Sequence, residues 1–101
     1  MAYSLFWKIE AKQDFEKLDK SIQKQAVCQF QKLELSPQLG EFLGNKANLD
    51  LTGCRKLYFF QKKYRIVYKI EEGNKKVIVI GIGKREDMDI YRRAAKRLGY
   101  G

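Results

Sequence analysis

Basic and tyrosine side chains recur on two neighbouring predicted strands, in a pattern that could bind a phosphodiester. Side chains alternate between the two faces of a strand, so Lys56 and Tyr58 share a face, and Arg65 follows on the next strand. Arginine can hold phosphate oxygens in a fork, and cations stabilise charge that builds up in a transition state. Aromatic rings can stack on unpaired bases. These residues predict a phosphodiester site, near which Lys84 and Arg85 would lie.

The chain contains no histidine, which excludes a Ser-His-Asp triad, a two-histidine ribonuclease mechanism and the commonest zinc sites. RNA cleavage would still need a base for the 2′-hydroxyl proton, a cation for the pentacovalent phosphate and an acid for the leaving oxygen. A lysine can be that base where neighbouring cations lower its pKa. Cys28 and Cys54 are too few for a disulfide framework and lack a metal-binding pattern, so we expect no metal site.

Each of these residues also has a purely structural explanation. Lys56 and Lys84 could be solvated charges at the edge of a sheet, and Arg65 could pair with a surface glutamate. Tyr91 could pack in the core as part of an amphipathic helix. The residues by themselves therefore predict a basic face that binds nucleic acid, and they leave cleavage open.

The net charge of +9 comes entirely from the second half of the chain. Residues 1–53 carry seven basic and seven acidic side chains, whereas residues 54–101 carry fourteen basic and five acidic ones. Such a surplus indicates a face that attracts a polyanion, although anionic lipid or an acidic protein would use the same feature. No stretch has the ~20 apolar residues of a membrane span and no secretory signal is present, so we expect a cytoplasmic protein without a membrane partner.

Hydrophobic spacing in the first half predicts a strand followed by two helices. Residues 3–9 alternate between apolar and polar, which is typical of a strand with one buried face. From Phe15 to Leu33 apolar residues recur at three- and four-residue steps, with a break near Asp19. Ser36-Pro37 ends the second helix. Glycine and asparagine in residues 38–53 predict a loop with one turn around 41–43.

The second half predicts three strands and a final helix. The strands are expected over about 54–60, 64–71 and 76–83, and the helix over about 87–98. Because the last strand is apolar on both faces, it should be central. We therefore predict one α+β domain over residues 1–101, with a mainly antiparallel four-stranded sheet in the order β-α-α-β-β-β-α, and with the two N-terminal helices and the C-terminal helix on one side.

Three segments resemble the RelE branch of the RelE/ParE superfamily of type II toxins. The clearest is Gly83-Lys84-Arg85-Glu86, followed by Ile90-Tyr91 and the basic run Ala94-Ala95-Lys96-Arg97-Leu98. The strand Tyr64-Arg65-Ile66-Val67-Tyr68 and the segment Cys54-Arg55-Lys56-Leu57 also resemble family segments. The three occur in the family's order and at its spacings.

The resemblance implies a metal-independent, cofactor-free endonuclease that cleaves mRNA in the ribosomal A site. The 2′-hydroxyl would attack the adjacent phosphate and leave a 2′,3′-cyclic phosphate. Lys56 would be the base or a charge stabiliser, Arg65 would stabilise the transition state, and Arg85 would do likewise or act as the acid. Tyr91 would stack on and orient the nucleotide. Contacts to RNA or the ribosome are expected from Arg55, Tyr58, Lys62, Lys63, Lys84, Arg92, Arg93 and Lys96.

Two positions depart from the family pattern. Tyr58 replaces a second family lysine, and Phe60 replaces an arginine. Tyr58 leaves open an inactive relative that only binds RNA or the ribosome. The second alternative is a ParE-like inhibitory protein that poisons gyrase and shares the fold, although the Gly-Lys-Arg-Glu segment and Tyr91 favour the endonuclease. In the toxin interpretation the partners are a cognate antitoxin protein and the ribosome carrying mRNA in its A site.

Overall fold

The computed structural model describes residues 3–46, 49–84 and 89–97. Within these residues the elements follow in the order β1 (Ser4–Trp7), α1 (Ile9–Glu16), α2 (Lys20–Leu35), a 3-10 helix (Pro37–Leu39), β2 (Glu41–Lys46), β3 (Leu49–Phe59), β4 (Tyr64–Glu71), β5 (Lys76–Lys84) and α3 (Asp89–Arg97). The strands form one sheet in the order β1-β5-β4-β3-β2. Only β1 and β5 pair in parallel among these neighbours, which confirms an α+β fold with a mainly antiparallel sheet.

The predicted number of four strands is wrong, because much of residues 38–53 is strand rather than loop. β2 pairs antiparallel with β3 and forms the edge of a five-stranded sheet. Glycine in a strand often marks a bulge or a bend instead of an end. Here the pairing register shifts between Phe42 and Gly44, and Gly53 has a φ of +89°, a conformation that favours glycine.

The predicted helical stripe packs on one face of the sheet. Its buried members are Ile22, Ala26, Phe30 and Leu33. The stripe meets sheet residues such as Ile66 and Val79 in one hydrophobic cluster, and Phe15 packs against it. Phe15 also stacks near Trp7 of β1, with the ring centroids 5.3 Å apart. The prediction of this stripe from three- and four-residue spacing is confirmed.

The two predicted helix boundaries are also confirmed. Asp19 occupies the N-cap position of α2, after α1 has ended at Glu16. The second helix ends at Leu35, and Pro37 then begins the 3-10 helix. No helix in the described part of the chain is long and apolar enough to cross a bilayer.

α3 covers the opposite face of the sheet, so the expectation of all helices on one side is wrong. Tyr91 and Ala94 of α3 pack against Val67 and Ile80 in a second hydrophobic cluster. β5 lies between β1 and β4, which confirms its predicted central position. Because β5 is apolar on both faces, both faces need a cover. The second cover is α3, and it lies over the face that carries the candidate site.

Candidate functional site

The hairpin of β3 and β4 presents three predicted site residues on one face. Tyr58 stands directly opposite Arg65, and Lys56 stands opposite Val67. Residues that face each other across antiparallel strands share a side of the sheet, and Val67 is on the side of α3. α3 brings Tyr91 to the same place. We refer to Lys56, Tyr58, Arg65 and Tyr91 as the cation–tyrosine cluster.

Arg65 and Tyr91 form the buried half of the cluster. Arg65 Nη1 donates a 2.6 Å hydrogen bond to Tyr91 Oη, and the guanidinium carbon lies 4.4 Å from the centroid of the tyrosine ring. Each residue is only 2% exposed. A buried cation needs hydrogen-bond partners, and a hydroxyl supplies one without cancelling the charge. Stacking of the Tyr91 ring on a nucleotide would therefore require the first turn of α3 to move.

Lys56 and Tyr58 form the accessible half of the cluster, and both are partly exposed. Lys56 Nζ donates a 3.1 Å hydrogen bond to Tyr58 Oη and lies 5.0 Å from the centroid of its ring. This hydrogen bond raises the pKa of Lys56 above its ordinary value, and the negative charge that Tyr58, Tyr91 or Glu41 can carry adds to the rise, while burial opposes it. Lys56 is therefore an ammonium at neutral pH, and its pKa is not lowered as cation crowding alone would suggest.

Lys84 lies on the opposite face from the cluster because β5 contains a bulge. Across β4 and β5, Val67 stands opposite Gly81 but Tyr68 stands opposite Val79, so β5 has one extra residue between them. An extra residue reverses the face of every side chain that follows. Lys84 consequently shares a face with Tyr64, which packs against the core beneath α1 and α2.

Arg55 also lies away from the cluster, where it binds backbone. It stands opposite Tyr68, whose ring is buried beneath α2. Arg55 Nη1 donates to the carbonyl oxygens of Gly40 at 2.8 Å and Gln38 at 3.3 Å. Tyr68 Oη donates to the Pro37 carbonyl at 2.7 Å and accepts from the Gly40 amide at 2.8 Å. The two side chains together attach the 3-10 helix and the start of β2 to the sheet.

The other predicted contact residues lie around the sheet end and on α3. Four of them are exposed, namely Lys62 and Lys63 in the β3–β4 turn and Arg92 and Lys96 on α3. Arg93 is partly buried and, like Arg97, lines a cleft beside α1. Arg85 lies outside the described residues. The structure thus brings Lys56, Tyr58, Arg65 and Tyr91 together, and it separates Arg55 and Lys84 from them.

An ion pair that the sequence analysis missed closes the outer edge of β5. Arg97 Nη1 donates to Asp14 Oδ2 at 2.9 Å and to the Ile80 carbonyl at 2.9 Å. Asp14 Oδ2 also accepts from the Ile82 amide at 3.2 Å. β1 pairs with β5 only as far as Val79, so these backbone groups need side-chain partners. We refer to Asp14 and Arg97 as the edge ion pair; nothing in the local sequence signals a contact between residues so far apart.

Within residues 3–46, 49–84 and 89–97, no three or more cysteine, aspartate or glutamate side chains are grouped so that they could hold a metal ion. The chemistry that this part of the chain offers is that of lysine, arginine and tyrosine. Two cations on adjacent strands, each hydrogen-bonded to a tyrosine hydroxyl, are suited to binding a phosphodiester and to stabilising added negative charge on it.

Residues 5–88 match the family model described as ParE toxin of type II toxin-antitoxin system, parDE. The mRNA interferase toxin RelE of Escherichia coli strain K12 is 30% identical over 98 residues, which cover 97% of this chain and 99% of that protein. A putative RelE-like toxin protein of Escherichia coli is 28% identical over 99 residues, with the same coverage of both chains.

Solved structures share the fold over nearly the whole chain. A mutant of the Escherichia coli toxin RelE in the free state superposes with a TM-score of 0.79 at 27% identity, covering 97% of this chain and 99% of that one. A chain of the intact Escherichia coli RelBE toxin–antitoxin complex superposes with a TM-score of 0.71 at 25% identity, covering 84% and 99%. The chain therefore belongs to the RelE/ParE family and is a RelE-like toxin of a type II toxin–antitoxin system.

Proposed function

We propose that residues 1–101 form one toxin domain that cleaves mRNA in the ribosomal A site, in the cytoplasm. The observation that carries this proposal is the cation–tyrosine cluster, where an ammonium and a guanidinium lie on adjacent strands and each is hydrogen-bonded to a tyrosine hydroxyl. The Escherichia coli relative named an mRNA interferase supports the same activity. Neither a metal nor a cofactor is required by this chemistry.

The reaction is an in-line displacement at phosphorus. The 2′-oxygen forms a bond to the adjacent phosphorus as the bond to the 5′-oxygen breaks, which leaves a 2′,3′-cyclic phosphate and a 5′-hydroxyl. Lys56 and Arg65 stabilise the negative charge of the pentacovalent phosphate. Because Lys56 remains an ammonium, it is a charge stabiliser rather than the base.

The proton of the 2′-hydroxyl then needs another acceptor. Tyr58 Oη lies 3.1 Å from the Lys56 ammonium, so negative charge that develops on this oxygen is stabilised where it forms. We therefore assign proton acceptance to the phenolate form of Tyr58. This form arises by loss of the hydroxyl proton to solvent and is stabilised by the Lys56 ammonium; it then takes the 2′-hydroxyl proton and returns to the neutral hydroxyl. Arg85 keeps the role that the family resemblance implies, as a second cation or as the acid for the leaving oxygen.

The proposed reaction also requires α3 to move. Arg65 and Tyr91 are each 2% exposed, so a phosphate reaches Arg65 only after the first turn of α3 shifts. The phosphate then replaces Tyr91 Oη as the acceptor for Arg65 Nη1, and the released ring becomes available to stack on a base. Ribosome dependence would follow if the bound complex favours this open arrangement.

Product-end analysis tests the reaction. Ribosomes programmed with a defined mRNA are incubated with the toxin, and the fragments are examined for a cyclic phosphate and for a 5′-hydroxyl that accepts label from polynucleotide kinase without prior phosphatase treatment. A message with 2′-deoxyribose at the attacking nucleotide should remain whole. Cleavage of that deoxy message, or a 5′-phosphate product, would contradict the mechanism.

Because the chain matches the ParE family model, a second candidate function is that of an inhibitory protein that binds gyrase without cutting RNA. Growth arrest with intact message would favour it. In either case we propose that an antitoxin holds the toxin inactive, as the Escherichia coli relative is found in a RelBE toxin–antitoxin complex. An acidic or amphipathic helix would suit the basic half of this chain, and its binding should weaken as salt rises.

A further inference from the structure

A cleft opens at the outer edge of β5, beyond the point where β1 ends. It has a volume of about 520 Å³, and its lining includes Lys17, Tyr64, Lys84, Arg93 and Arg97. We refer to the space between these five residues as the edge cleft. α1, the turn between α1 and α2, the end of β5 and α3 surround it.

The edge cleft carries an excess of positive charge. Its two carboxylates are Asp14 and Asp19, and Asp14 is already bound by Arg97. Lys17 and Lys84 are both exposed, so a ligand can reach their ammonium groups without a change in the fold. Because these two charges exceed that of Asp19, the cleft attracts an anion.

An aromatic ring lies among these cations. Tyr64 is half-buried, and its ring is held 5.7 Å from the Phe59 ring and 6.2 Å from the Phe60 ring, measured between centroids. A fixed ring beside positive charge is the combination that binds single-stranded nucleic acid, since bases stack on the ring and phosphates meet the cations. A cleft that binds an acidic peptide would need the cations but no aromatic ring.

The edge cleft and the cation–tyrosine cluster meet at one end of the sheet. Lys84 stands opposite Tyr64, and the preceding Gly83 stands opposite Arg65. Consecutive residues of the same strand pair therefore face the two sites, one on each side of the sheet. A single strand that passes around this end can occupy both.

We propose that the edge cleft binds phosphate groups of single-stranded RNA through Lys17 and Lys84. This proposal rests on the proposed function for the choice of RNA, and it adds a binding site on the opposite side of the sheet from the cluster. The RNA can be the message or a segment of ribosomal RNA, and binding to each is measured separately.

Binding is measured with a fluorescent 2′-O-methyl oligoribonucleotide, which cannot be cleaved, and with ribosomes stripped of message. The double variant Lys17→Gln/Lys84→Gln is compared with Lys24→Gln/Lys32→Gln, which removes the same charge from the exposed surface of α2. The first should bind RNA on the order of tenfold more weakly near physiological salt, and its salt slope should fall by about 1.4, because each lost contact to a single strand removes about 0.7. The control should change both quantities much less.

Comparison of oligonucleotide binding with ribosome binding shows whether the cleft binds message or ribosomal RNA. A selective loss of oligonucleotide binding supports a message site, and a selective loss of ribosome binding supports a ribosomal RNA site. Equal losses in both double variants would overturn the proposal, because net charge alone would explain them. Weaker binding of a polyglutamate peptide with unchanged binding in both RNA arms would also overturn it. Cleavage is not measured, so failure of the endonuclease proposal would leave this result interpretable.

Discussion

Two regions of this protein hold their cations in contrasting ways. In the cation–tyrosine cluster, Lys56 and Arg65 donate to tyrosine hydroxyls at 3.1 and 2.6 Å. Each hydrogen bond pairs one donor of the cation with a neutral group and leaves the positive charge in place. In the edge ion pair, Arg97 donates to the Asp14 carboxylate, which cancels its charge, and to a backbone carbonyl.

The contrast separates function from stability. A hydroxyl partner holds a cation in position while its charge remains available to a phosphate, at the cost of a smaller contribution to the fold. A carboxylate partner makes a stronger hydrogen bond and leaves little charge for a ligand. We therefore expect changes in the cluster to affect cleavage, and changes in the edge ion pair to affect the free energy of unfolding.

The largest expected effect is on cleavage by Lys56→Ala. Loss of one preorganised donor at developing negative charge lowers a rate by about 10²- to 10³-fold. Lys56→Arg keeps the charge and should retain much of the activity. Single-turnover cleavage on programmed ribosomes measures both rates, and thermal unfolding checks that the variants are folded. Equal activity of Lys56→Ala and the original protein would remove Lys56 from the mechanism.

A smaller effect, on stability, is expected from Arg97→Met. The side chains of Arg97 and Asp14 are only 11% and 12% exposed, and the change leaves the carboxylate and the Ile80 carbonyl without this donor. Loss of such a charge-assisted contact costs about 1–3 kcal/mol, and each kcal/mol lowers the melting temperature of a domain this size by roughly 4–8 °C.

The neighbouring variant Lys96→Met is the matched control, because Lys96 is exposed. The free energy of unfolding of Lys96→Met, measured in urea, should differ little from that of the original protein. A double-mutant cycle that combines Arg97→Met with Asp14→Asn should give a coupling energy different from zero, because both substitutions remove the same contact. Strict additivity of Asp14→Asn and Arg97→Met would contradict the edge ion pair as a stabilising contact.

The smallest effect on stability is a pH dependence of the free energy of unfolding, which is measured by comparing Tyr58→Phe with the original protein. The hydrogen bond to Tyr58 raises the pKa of Lys56 above 10.5, so the folded chain holds this proton more tightly than the unfolded chain does. The resulting stabilisation is complete below pH 10.5 and is lost as the pH rises through the folded pKa. The stability difference between Tyr58→Phe and the original protein should therefore shrink from about pH 8 to about pH 11 in urea titrations. A difference that widens would contradict this assignment.

Much of the cluster could be predicted because it depends on local spacing. The two-residue period of a strand places Lys56 and Tyr58 together, and a short hairpin brings Arg65 opposite. The side of the sheet on which Lys84 lies was not predicted, because the one mark of the bulge in β5 is Gly81, and its apolar run fits a regular strand equally well. A one-residue slip reverses the face of all that follows.

The edge strand β2 and the contact between residues far apart in the chain could not be predicted from the sequence either. β2 contains Gly44 and Asn45, which are typical of loops, and its pairing with β3 makes it a strand. Asp14 and Arg97 meet only because β1 ends early and exposes the backbone of β5. In the sequence, Arg97 is only one cation of the basic run that ends α3.

The central claim is that the cation–tyrosine cluster cleaves mRNA on the ribosome. Primer extension on a message undergoing translation in a purified system tests it most directly, with the original protein, with Lys56→Ala, and with ribosomes omitted. The account predicts cuts within A-site codons that require ribosomes and that nearly disappear in Lys56→Ala. Intact message with the original protein, or cuts that persist unchanged in Lys56→Ala, would contradict it.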